Sequence, residues 1–71
     1  MKLHIILGTT DGETWVSDDI EDFSSVESLT CEILRYIENK DYIKVPICYH
    51  ERFFIKKNII FIYVKKVIHE N

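Results

Sequence analysis

Five side chains in this sequence have the softness or nucleophilicity to hold a metal or attack a substrate: Cys31, Cys48, His4, His50 and His69. Only Cys48 and His50 stand close, two residues apart, a spacing that shares one face if both lie on a strand. Structural zinc takes four such ligands at recognisable spacing, and the other three are scattered from the start of the chain to its end. No metal centre and no cofactor are expected. A nucleophilic Cys48 would need a lowered thiol pKa and an oriented base, and the sequence supplies neither. The two cysteines read as reduced thiols of a cytoplasmic protein, Cys48 as a buried one beside a surface His50, and the chain as a protein without enzymatic activity.

Charge is segregated. Asp11, Glu13, Asp18, Asp19, Glu21 and Asp22 crowd the first third, Lys56, Lys57, Lys65 and Lys66 stand near the end, and the net charge is −3. The calcium-loop alternation Asp-x-Asp-x-Asp-Gly with a distal Glu is absent. Carboxylates grouped this way hydrate a loop or present an acidic face to a basic protein. Beside Trp15, the residues Asp18, Asp19, Glu21 and Asp22 are the expected partner-binding set of a small interaction module, an inhibitor or adaptor. The competing reading is a nucleic-acid surface of Lys56, Lys57, Phe53 and Tyr63, in which lysines hold phosphates and rings stack on bases. The negative net charge disfavours it.

These residues must be positioned by one small core. With 71 residues, of which 46% are apolar, the chain can close a single domain, residues 1–71, and no second one. Leu3, Ile5 and Leu7 alternate with Lys2, His4 and Ile6, the period of a strand with one face on the core. Asp11-Gly12 predicts a tight turn into a short strand at Thr14–Ser17, with Trp15 and Val16 on opposite faces. An acidic connector, 18–23, leads to a helix opened by a capping box of Ser24 and Glu27. Val26, Leu29, Ile33 and Ile37, flanked by Thr30 and Leu34, form its apolar stripe, and Asn39 is the expected left-handed cap after Glu38. A strand over Tyr42–His50 contains Pro46, which suits a sheet edge. Arg52–Ile55, a bend at Lys56–Asn58 and a last strand from Ile59 to about Ile68 complete an α+β domain of order β-β-α-β-β(-β), a mainly antiparallel curved sheet on one helix.

The segment Phe54-Ile55-Lys56-Lys57-Asn58-Ile59-Ile60-Phe61-Ile62 resembles the second motif of Sm-like RNA-binding barrels, where a strand, a tight turn and a second strand follow one another. That resemblance implies the alternative architecture, an Sm-like or SH3-like barrel with a helical insertion, and nucleic-acid binding. The lysine, isoleucine and asparagine bias, with the early Asp11-Gly12 turn, is similar in composition to short hypothetical proteins of phages and other mobile elements in low-GC bacteria. It implies a partner-binding role. The run Ile59 to Val64 is apolar on both faces, which one helix cannot cover, so Ile59, Phe61 and Tyr63 are the expected contacts of a homodimer, with barrel closure within one chain as the competing explanation. Six residues are far short of the ~18 that span a bilayer, so no membrane partner is expected.

Overall fold

A computed structural model describes residues 1–68 of the chain, so His69 lies outside the described residues. The alternation at the start becomes strand β1 (Leu3–Thr9), with Leu3, Ile5 and Leu7 buried. The Asp11-Gly12 turn, with Gly12 at φ 89, returns the chain as β2 (Thr14–Val16), antiparallel to β1. The helix α1 (Val26–Asn39) follows, then β3 (Tyr42–Ile47), β4 (His50–Ile55), a 3-10 turn at Lys56–Asn58 and β5 (Ile59–Lys66). The domain is α+β with the order β-β-α-β-β-β.

The strands divide into two antiparallel sheets. One has the order β2-β1-β5, so the last strand returns to lie beside the first, and the other is the β3-β4 hairpin. Pro46 sits on β3, which has a single strand neighbour, so its missing amide costs no ladder bond. Opposite residues in an antiparallel pair share a face, so Leu3, Ile5 and Leu7 project inward with Val64, Ile62 and Trp15. Against them pack Ile43, Val45 and Phe54 from the hairpin and Leu29 and Ile33 from the helix.

The helix begins one residue later than its serine signal suggests. Ser25 is the N-cap, and its hydroxyl accepts from the Ser28 amide at 3.1 Å while Ser28 Oγ accepts from the Ser25 amide at 3.2 Å. Two adjacent serines offer two boxes, and this one leaves Leu29 and Ile33 pointing at the sheet. At the other end Asn39 is helical, its side-chain amide donating to the Arg35 carbonyl, and Lys40 is an extended cap. Leu34, expected beside the stripe, is 53% exposed, and Tyr36 takes its place against the core.

The expected strand 42–50 is broken into a hairpin. Cys48 and Tyr49 form a two-residue turn with φ of 53 and 66, both in the left-handed region. Cys48 and His50 therefore do not share a strand face; both cysteines are free and exposed, and for Cys48 this overturns the expected burial. Ile33 is 6% exposed between helix and sheets. Ile33→Ala should lower unfolding free energy by roughly 2 to 5 kcal/mol, read as a fall in the urea midpoint at constant slope. An unmoved midpoint would contradict this packing.

Candidate protein-interaction surfaces

The acidic connector is shaped by a break in β2. After Val16 pairs with Ile6, the buried Ser17 replaces a ladder bond by accepting the Ile5 amide on Oγ at 2.8 Å, and Ile20 re-pairs with Leu3. The residues between, Asp18 and Asp19, are pushed off the ladder. Asp18 reaches the hairpin: Oδ1 accepts from the Cys48 amide at 3.0 Å and Oδ2 from the Tyr49 amide at 2.8 Å, while its own amide donates to the Pro46 carbonyl. Asp19 turns to the N-terminal strand, with Oδ1 at 2.7 Å from His4 Nε2 and Oδ2 at 3.7 Å from Lys2 Nζ.

Of the five residues expected to bind a partner, these two are thus engaged within the chain. Trp15 stands elsewhere. It is half-buried, edge-on to Phe54 at 5.5 Å, with the Arg52 guanidinium 4.4 Å from its ring centre and its Nε1 donating to Thr9 Oγ1. The Asp11 carboxylate is held below its ordinary value of 3.8 by the Thr9 hydroxyl and then the Glu13 amide, which makes it part of the turn. Glu21 and Asp22 remain exposed and, among the described residues, form no ion pair.

Those two carboxylates stand over an open cleft of about 410 Å3 between residues 19–23, α1 and β3. Its floor is apolar, with Ile5, Ile20, Phe23, Leu29, Ile33 and Ile43, and its rim carries Asp19, Glu21, Asp22 and Glu32, with Lys44 and Tyr36 in the walls. Desolvation, and then the neighbouring Tyr42, keep the Tyr36 phenol above its ordinary pKa of 10.0. Sequence reasoning passed over Ile20, Phe23 and Glu32. The available signal was a pair of large apolar residues set among acids, Asp19-Ile20-Glu21-Asp22-Phe23.

A second surface covers the outside of the three-stranded sheet. Ile6, Val16 and Tyr63 lie there together with Phe61, whose register partner is Gly8. The Phe61 ring lies across Gly8, so a Cβ at this position would displace the ring. Phe61 stacks on Tyr63 at 6.1 Å and 26°, and the two are 43% and 51% exposed. The register shifts between Gly8 and Thr9, which leaves Ile60 unpaired and 65% exposed and turns Ile59 toward the core. Of Ile59, Phe61 and Tyr63, the last two share this outer face. Val16 joins them, and so does Ile6, on the face of β1 opposite Leu3, Ile5 and Leu7 as the alternation implies.

The residues of the nucleic-acid reading do not share one surface. Phe53 is 61% exposed beside Tyr42 on the outside of the hairpin, and Tyr63 is outside the other sheet. Lys56 Nζ donates to the Ile37 carbonyl near the end of the helix. Among the described residues no group of three or more His, Cys, Asp or Glu is arranged to hold a metal, and no helix is long and apolar enough to cross a membrane.

The Cys48–Tyr49 turn gives these contacts a measurable energy. A left-handed conformation costs an L-residue about 1 to 2 kcal/mol, and Asn-Gly is the pair that adopts it most readily. Replacing Cys48-Tyr49 by Asn-Gly should stabilise the fold by about 1 to 2 kcal/mol. Asp18→Ala should destabilise it by roughly 1.5 to 3 kcal/mol. In the Asn-Gly background the Asp18→Ala loss should shrink, because the turn no longer needs the clamp. Strict additivity in urea denaturation would show that Asp18 does not act through the turn. Comparison of the chain with family models, with curated proteins and with solved structures finds no match.

Proposed function

We propose that the chain is a small non-enzymatic protein-interaction module, an inhibitor or adaptor of the phage type, that acts in the cytoplasm as a homodimer and binds a basic partner on its acidic side. The observation that carries this reading is the outer sheet face, where Ile6, Val16, Phe61 and Tyr63 gather apolar and aromatic surface over which, among the described residues, no helix or strand is packed. Contiguous exposed patches of this kind mark interfaces in proteins that live in water. Two free, exposed thiols, Cys31 and Cys48, suit a reducing compartment.

Size sets the strength of the dimer. Strands of three, seven and eight residues, about 4.8 Å apart and rising about 3.4 Å per residue, make a face of roughly 300 Å2 in projection. Stable complexes bury on the order of 800 Å2 from each partner. The dimer is therefore weak and concentration-dependent. Sedimentation equilibrium should show a reversible doubling of the 8.5 kDa mass between micromolar and millimolar protein. Phe61→Asp should abolish it and leave a folded monomer. A single 8.5 kDa species over the whole range would defeat the dimer.

The acidic side is tested separately. Asp18 and Asp19 hold the fold, so Glu21→Gln with Asp22→Asn is the variant that removes charge alone. Partners retained from a bacterial lysate by the parent chain should be lost by this variant and released by salt. Retention with unchanged salt dependence would refute the acidic-side reading.

A further inference from the structure

Where the connector crosses in front of α1, the core is left open. Ile5, Leu29, Ile33 and Ile43 are buried members of the core, yet they help form the floor of the cleft, and Ile20 and Phe23, which complete it, are only partly covered. The opening is held in shape. Ile20 exchanges both backbone hydrogen bonds with Leu3, at 2.9 and 3.0 Å, His4 and Lys2 fix Asp19, and the Ser25–Ser28 box sets the start of the helix wall. A cleft already braced this way does not have to be ordered by what enters it.

We propose that this cleft is the docking groove for a basic, amphipathic segment of a partner protein. One apolar side chain of the segment seats on Phe23 and Ile33, and arginines or lysines on either side of it meet Glu21, Asp22 and Glu32. The proposal deepens the basic-partner reading and rests on it.

Three features fix the chemistry of the occupant. The volume, about 410 Å3, is at the small end of ligand pockets, which suits one or two side chains of a peptide. The rim is acidic: it carries four carboxylates, and the one lysine of the walls, Lys44, is drawn toward Glu51 at 3.8 Å. Glu32 is shared with Arg35 at 3.3 Å, whereas Glu21 and Asp22 form no ion pair among the described residues. An anion is excluded by this field, and a purely apolar segment would leave it unmatched. Exposed ion pairs contribute little affinity, so the seated apolar side chain supplies binding strength while the cations supply direction and salt dependence.

The test is an NMR titration of the 15N-labelled full chain with the synthetic peptide Arg-Arg-Leu-Arg-Arg, beside the same peptide with Gly for Leu. The expected result is shifts confined to Ile20, Glu21, Asp22, Phe23, Glu32 and Ile33. The Gly peptide should bind roughly tenfold or more weakly, as follows from burial of one Leu side chain. Glu21→Gln with Asp22→Asn should weaken the Leu peptide and flatten its salt dependence. Equal binding of both peptides, lost in the charge variant, overturns the groove but leaves the basic-partner reading intact. Shifts centred on Phe61 and Tyr63 also overturn it, as they assign the peptide to the outer sheet. Absence of shifts at millimolar peptide and low salt overturns it too, and the lysate comparison then decides the broader reading on its own.

Discussion

Leu3, Ile5 and Leu7 are shared by every layer of the molecule. Strands β2 and β5 pair on either side of the strand that carries them, and α1 and the β3-β4 hairpin close over their side chains. Because the strand repeat is two, a slip of one residue in β1 would bring His4, Ile6 and Gly8 inward and turn the core residues out. The C-terminal strand is committed by the same register, since each inward residue of β5 stands opposite an inward residue of β1. A chain this short has no second core to fall back on, so this one strand holds its two ends together.

Periodicity made most of the fold legible. The alternation in β1 and the stripe of Leu29 and Ile33 are local patterns, and each element they define was expected where it is found. What escaped was decided at a distance. The Cys48–Tyr49 turn has neither Gly nor Asn, and it is specified by the carboxylate of Asp18, thirty residues earlier in sequence. Read locally, Tyr42–His50 is one strand. The exposure of Cys48 follows from the same omission, since a turn residue projects outward where a strand residue has even odds of being buried.

The candidate site was legible as charge and illegible as hydrogen bonding. Composition shows that carboxylates gather between Asp18 and Asp22 but cannot say which of them the backbone consumes. The break in β2 decides it: Ser17 tucks in, Ile20 re-pairs, and Asp18 and Asp19 are left to bind the hairpin turn and the N-terminal strand. Glu21 and Asp22 lie beyond the re-pairing point, which is why they face solvent. The Trp15 expectation failed for a related reason. Its strand partner is Leu7, an inward residue, so the ring is drawn to Phe54 and Arg52 and away from the acids.

The two surfaces are independent because β1 separates them. Ile5 faces the cleft and Ile6, its neighbour in sequence, faces the outer sheet with Val16 and Tyr63. A second copy of the chain on the outer face would therefore cover none of the cleft, and a dimer would carry two open grooves related by its two-fold axis. Two weak grooves on one such dimer would act together on a partner that repeats its basic segment, because the second contact would form at a high effective concentration once the first is made. Weak self-association and weak docking, each insufficient alone, would then reinforce each other: partner binding favours the dimer, and the dimer raises partner affinity by the same factor.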